Sequence, residues 1–213
     1  FKNLGSKFSH QKNWKKSIFE TYQDASIDLK WTDQLKNKCD KVGIEFCSTP
    51  YAFDLTDHLD KFVNFYKIGS GDITWIDMLE YVSRKGKPVI LSTGASDISE
   101  VETAVKAIQK YINEIVLMQC NTNYTANDEE NFNYINLNVF KQYQEKFPNT
   151  VLGLSDHTPN DETVLGACTL GIKAVEKHFT DDTSRNGPDH PFSMDPKTWK
   201  KMVDSTRLLE KAL

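Results

Sequence analysis

The chain alternates between short, nearly continuous apolar runs and longer stretches in which apolar residues return every three or four positions. The runs are IEFCST (44–49), FYKIGS (65–70), PVILST (88–93), IVLMQC (115–120), VLGLSD (151–156) and AVEKHF (174–179). Their length and their content of β-branched and large apolar residues predict buried strands. They are spaced too widely for hairpins.

Helical patterns fill the intervals. WTDQLKNKCDKVG ends on Gly43, a glycine suited to close a helix. WIDMLEYVSRKGKP stops at Gly86 with Pro88 just beyond. DISEVETAVKAIQKY opens on Asp97 with Glu100 three residues later, the spacing of a capping box. NYINLNVFKQYQEKFP predicts a helix up to Pro148, and DETVLGACTLG another before the sixth run. In the last segment Asp195 is placed to cap and Pro196 to open a helix. Its Trp199, Met202, Val203, Leu208 and Leu209 fall roughly on one face.

Strand–helix alternation predicts parallel βαβ units in an α/β fold. Six units without a nucleotide-binding glycine fingerprint favour a (β/α)8 TIM barrel over a doubly wound sheet. Polar residues also gather just after each run, where barrel active sites lie. A complete barrel has eight strands. Residues 1–213 are therefore expected to be a partial barrel, strands 3 to 8, with the first two strands before Phe1. Because the sequence starts on Phe, it is expected to begin inside a longer protein.

Composition narrows the function classes. The net charge of −4 comes without a block of like charge, which gives no global attraction for nucleic acid or an anionic membrane. No apolar run approaches the ~18 residues of a membrane span. Cys39, Cys47, Cys120 and Cys168 show no CxxC pair or zinc-ribbon spacing, so buried, reduced thiols in a cytoplasmic protein are expected.

Strand parity then sorts the candidate chemistry. Residues i and i+2 share a face. Ser155 thus points with His157, and Glu176 with His178, while Asp156 and Lys177 point the other way. Two imidazoles, a hydroxyl and a carboxylate would converge on one barrel mouth. Histidine is the commonest protein metal ligand, and a site with few protein ligands leaves positions open for substrate. In KIGSGD (67–72), two glycines flank Ser70 and suggest an anion-binding backbone nest beside Lys67. Ser48 and Thr49, Ser92 and Thr93, and Thr122 and Tyr124 add hydroxyls at other strand ends. Asp189 is presented by a turn at Gly187–Pro188. Such a ring suits a phosphorylated or polyhydroxylated small molecule.

YKIGSGD, GKPVILSTGAS, CNTNYT, GLSDHT, EKHFT and GPDH occur in this order at this spacing. As a set they resemble the synthase domain of the sialic acid synthase family, whose members also make legionaminic and pseudaminic acids. The resemblance covers roughly residues 40–213. It implies condensation of phosphoenolpyruvate with an N-acetylmannosamine-type hexosamine, giving a nine-carbon 2-keto acid and phosphate. It also implies a divalent metal, Mn2+ or Mg2+, on His157 and His178. By the same resemblance, Thr49, Lys67, Ser70, Ser92, Thr122 and Ser155 contact phosphoenolpyruvate, and Asp72, Tyr124 and Asp189 contact the sugar. Glu176 and Lys67 are the implied catalytic residues.

The family pattern includes a glutamate on strand one and a lysine on strand two, both expected to lie before Phe1. It also includes a C-terminal antifreeze-like domain that this chain is expected to lack. The full-length protein is expected to be a homodimer. Two other readings account for part of the pattern: a metal-independent aldolase with a Schiff base on Lys67, and a non-catalytic sugar- or phosphate-binding fragment.

Overall fold

The computed structural model describes residues 16–122, 129–187 and 189–213. It divides into two units, residues 1–46 and residues 47–213.

In the first unit, α1 (Ile18–Ala25) starts at a Ser17–Glu20 capping box. α2 (Thr32–Val42) ends at Gly43, whose φ of +77° gives the left-handed cap expected of that glycine.

The second unit is built on a five-stranded parallel sheet. Its strands are β1 (Tyr66–Ile68), β2 (Val89–Ser92), β3 (Ile115–Cys120), β4 (Val151–Asp156) and β5 (Ala174–Lys177), and they pair in chain order. Between them run α4 (Ile76–Ser83), α5 (Ile98–Gln109), α6 (Val139–Lys146) and α7 (Glu162–Thr169); α3 (Phe53–Asp60) precedes β1 and α8 (Pro196–Glu210) follows β5. The Asp97–Glu100 capping box forms as the sequence predicts. Asp195 caps α8 with Pro196 in its first turn.

Sequential pairing without an order reversal is barrel topology, and one contact requires the sheet to curl. Lys67 on β1 and Glu176 on β5 form an ion pair of 3.2 Å. In a flat sheet the first and fifth strands would lie roughly 19 Å apart, at about 4.8 Å per strand. Two side chains cannot span that gap, so the sheet bends into a half-barrel and its edges approach across the inner face.

The core lies on the other face. Tyr66, Ile68, Val89, Leu91, Ile115, Leu117, Leu152 and Leu154 all point there and are buried. They meet Met78, Leu79 and Val82 of α4, Val101, Val105 and Ile108 of α5, and Phe140 and Tyr143 of α6, which are buried as well.

Four expectations are corrected. Residues 44–49 form no strand. An apolar run becomes a strand only where a neighbour takes its backbone groups, and among the described residues β1, the next strand along, pairs with β2 alone. The helix expected over 133–148 is a 3-10 turn (Glu129–Tyr134) followed by the shorter α6. On α8 the apolar stripe is less buried than its spacing predicts: Met202 is buried, whereas Val203 and Leu208 are exposed. The cysteines are all unpaired, as expected, but only Cys120 is fully buried. Among the described residues no helix is long and apolar enough to cross a membrane.

Candidate active site

The inner face of the half-barrel carries the polar residues. Register places Cys120, Ser155 and Glu176 side by side across β3, β4 and β5. Glu176 is held from two sides. Ser155 Oγ donates to its Oε1 at 2.7 Å, and Lys67 Nζ lies 3.2 Å from its Oε2. The lysine side chain is 13% exposed and the glutamate 40%, so the carboxylate opens to the cavity while its cation is set back.

His157 and His178 follow one residue beyond their strands, on the same face. Their ring centroids are 5.1 Å apart, tilted by 59°. Phe192 meets both edge-on, at 6.0 Å from His157 and 4.8 Å from His178. It arrives on a 3-10 turn (His190–Phe192) folded back against β5, where Met194 N donates to His178 O at 2.9 Å. Asp189, just before that turn, places Oδ2 3.6 Å from His178 Nδ1.

His157 Nδ1 lies 2.5 Å from the Asn121 carbonyl oxygen. A carbonyl only accepts, so Nδ1 carries the proton and Nε2 keeps its lone pair. Burial holds both imidazoles below their usual pKa, that of His157 and that of His178 alike. Neutral rings with a carbonyl-anchored tautomer are in the state a metal ligand requires. Among the described residues no third histidine, cysteine or carboxylate joins them in a metal-binding group. The two rings therefore fit a divalent cation as a pair, with further positions left to other ligands.

The other expected site residues fall around this centre. Ser92, at the end of β2, is fully buried, and its Oγ finds no partner among the described residues. Such an orphan hydroxyl is costly unless something else engages it. Ser70 and Asp72 sit on a 3-10 turn (Ser70–Asp72) directly after β1. Burial raises the Asp72 carboxyl pKa, with Lys67 acting in the opposite sense. Thr49 is half-buried. Thr122 is exposed and, with Ser70, Gly71 and Thr74, lines a cleft of about 340 Å³. Tyr124 and Pro188 lie outside the described residues.

The backbone nest expected at KIGSGD is absent. A nest needs a left-handed residue, and Gly69 is extended, with φ −67° and ψ 156°, while Gly71 is not left-handed. The left-handed glycine lies one strand further on. Gly94 has φ +57°, and a Cβ there would sit 2.5 Å from the Ser70 Cβ. The loops after β1 and β2 thus touch, and only glycine allows it.

Sequence reasoning missed three contributors. Phe192 lies in a stretch that reads as a plain loop. The Asn121 carbonyl is backbone and leaves no residue-type signal. Cys47 gave no hint of its place beside Lys67 and Glu176, where burial pushes its thiol up to about 11.

The NeuB family model matches residues 2–213. The chain belongs to the NeuB family. Homologues of this NeuB chain include sialic, legionaminic and pseudaminic acid synthases. An N,N'-diacetyllegionaminic acid synthase of Campylobacter jejuni is 34% identical over 92% of the chain and 59% of its own length. The N-acetylneuraminate-9-phosphate synthase of Homo sapiens is 28% identical over 100% of the chain and 58% of its own length. The solved N-acetylneuraminic acid synthetase of Leptospira borgpetersenii, in complex with citrate, matches with a TM-score of 0.85 at 30% identity. That match covers 95% of the chain and 70% of the solved one. The NeuB chain thus spans under three fifths of the length of these curated relatives.

Proposed function

We propose that this NeuB-family chain is the catalytic part of a nonulosonic acid synthase. It condenses phosphoenolpyruvate with an N-acetylmannosamine-like sugar to a nine-carbon 2-keto acid and phosphate. The observation that carries the reading is the convergence of Lys67, Glu176, Ser155 and two neutral imidazoles on the inner face.

In the reaction, the C2–C3 double bond of phosphoenolpyruvate opens as C3 bonds to the aldehyde carbon of the open-chain sugar. The aldehyde π pair moves onto its oxygen, which takes up a proton to become a hydroxyl, and positive charge develops at C2. Water adds at C2, losing a proton, and the tetrahedral intermediate expels phosphate by C–O cleavage. In this reading Glu176 takes the proton from that water. Its Oε1 is steadied by Ser155 and its Oε2 by Lys67, so the carboxylate is fixed before substrate arrives. Lys67 also offers a cation to the phosphate or carboxylate, and the orphan Ser92 hydroxyl, with Ser70, Thr49 and Thr122, offers donors. Asp72, Asp189 and Tyr124 orient the sugar hydroxyls. Holding both substrates in reacting geometry supplies much of the remaining rate. His157 and His178 would hold a divalent cation, Mn2+ or Mg2+, which when bound supplies Lewis acidity toward a carbonyl oxygen.

The test is incubation of the full-length protein with phosphoenolpyruvate and each candidate N-acetylated sugar, with the product identified by mass. A nonulosonate mass appearing together with free phosphate supports the reading. Pyruvate consumed in place of phosphoenolpyruvate, with borohydride trapping an adduct on Lys67, would replace it with a Schiff-base aldolase.

A further inference from the structure

Asp156 lies between Ser155 and His157, and Lys177 between Glu176 and His178. Strand parity turns both away from the cavity, onto the helix-covered face. There they form an ion pair of 2.8 Å, with side chains 3% and 1% exposed. They are direct cross-strand partners in the β4–β5 register. Asp156 also accepts from Thr158 N at 3.0 Å, from Thr158 Oγ1 at 2.8 Å and from Thr163 Oγ1, in the first turn of α7, at 2.6 Å. Lys177 Nζ also donates to Asn160 O at 2.6 Å.

Stability alone is a weak reason for such a pair, because apolar residues of similar volume often serve as well or better. A sealed pair of charges differs from an apolar pair in tolerating one arrangement only. Sliding β5 by one residue along β4 would turn Lys177 into the cavity and His178 toward the helices, since strand side chains alternate. Sliding it by two would bury both charges unpaired. Apolar residues at 156 and 177 would meet new apolar neighbours after either shift.

We propose that the Asp156–Lys177 pair is a positioning device that fixes β5 against β4, so that the rings of His157 and His178 meet at one point. The pair touches no substrate. It acts through the residues on either side of each member. The proposal rests on the functional reading above only in taking those imidazoles as the working groups.

Two readouts on the full-length protein test it, one of them free of metal. Histidine ring 15N spectra report the His157 tautomer, and electron paramagnetic resonance titration reports Mn2+ affinity. The variants are Lys177→Met and the double variant Asp156→Leu/Lys177→Met, with Leu117→Ala as a control that loosens the core elsewhere. Lys177→Met is expected to average the His157 ring signals and weaken Mn2+ binding by roughly 10- to 100-fold, as loss of outer-shell support does. The double variant is expected to recover part of the urea midpoint lost in Lys177→Met, because no buried charge is left unpaired, while the signals stay averaged and affinity stays at least about tenfold down. Leu117→Ala is expected to lower the midpoint and leave both readouts as in the wild type.

A double variant with the wild-type tautomer and affinity would overturn the proposal, and so would a control that loses both. If the wild type takes up no Mn2+, the metal reading fails and the ring spectra decide alone. In that case, sharp signals in the wild type with averaged ones in the double variant support the positioning role, and identical spectra overturn it.

Discussion

The two faces of the sheet use the same backbone for opposite ends. On the helix-covered face, Tyr66, Ile68, Val89, Leu91, Ile115, Leu117, Leu152 and Leu154 are apolar and sealed. On the inner face the same strands present Lys67, Ser92, Cys120, Ser155 and Glu176, which carry polar atoms that are partnered across strands or left open. The difference teaches that at these apolar positions stability can be perturbed without the chemistry, although neighbouring residues serve both. It also explains why the strands read as nearly continuous apolar runs. Ile90, Val116 and Met118 lie on the inner face below the polar rim, so in the runs at 88–93, 115–120 and 151–156 polarity appears only in the last two residues.

The largest expected effect is on the inner face. Glu176→Gln keeps the shape and the Ser155 contact but removes the base, and is expected to slow phosphate release by ~10²- to 10⁴-fold. Its urea midpoint should stay near that of the wild type. Equal rates in the two proteins would move the base elsewhere.

On the opposite face, Leu117→Ala deletes a fully buried side chain. A loss of about 2–5 kcal/mol in urea unfolding is expected, with kcat/KM near the wild-type value well below the melting temperature. A collapse of kcat/KM in a still-folded protein would mean that the faces are not separable.

Gly94→Ala breaks the comparison at its rim. The left-handed φ costs an alanine about 1–2 kcal/mol, and the new Cβ collides with Ser70. Modest destabilisation should come with a raised KM for phosphoenolpyruvate, measured by initial rates.

The smallest effect is in pH dependence. Both imidazoles are held below the ordinary 6.5 by burial. Above that value folded and unfolded chains both carry neutral rings, and stability is complete. As pH falls below it, the unfolded chain takes up protons that the folded one refuses, and stability declines until the folded rings protonate too. The urea midpoint should therefore drop between about pH 7.5 and about pH 5.5, and drop less in His157→Gln. Equal drops would assign the slope to other groups.

Local signals made much of the fold legible. β3 and β4 match the apolar runs at 115–120 and 151–156 residue for residue. Capping residues marked the starts of α5 and α8. Long-range pairing was not legible, and the run at 44–49 reads like a strand yet joins no ladder. Helices α1 and α3 were not among the expected elements, although α1 opens on a Ser17–Glu20 capping box of the kind that marks α5.

At the site, parity alone put Ser155, His157, Glu176 and His178 on one face. It could not show that Lys67 reaches Glu176, because that contact depends on the curl of the whole sheet. Nor could it show that Asp156 and Lys177, sorted merely as pointing away, are each other's partners. The misplaced nest at Gly69–Gly71 has the same origin. Glycine permits a left-handed backbone, but packing against Ser70 decided that Gly94 would adopt it.

The inner face as a place where water adds to C2 of phosphoenolpyruvate is tested most directly by isotope. The full-length protein is given phosphoenolpyruvate carrying ¹⁸O in the bridging C–O–P oxygen, together with the N-acetylated sugar that it turns over. Mass spectrometry should find the label in the released phosphate, with oxygen from water at the new keto group. Label retained in the keto acid would mean P–O cleavage and would contradict the proposed chemistry.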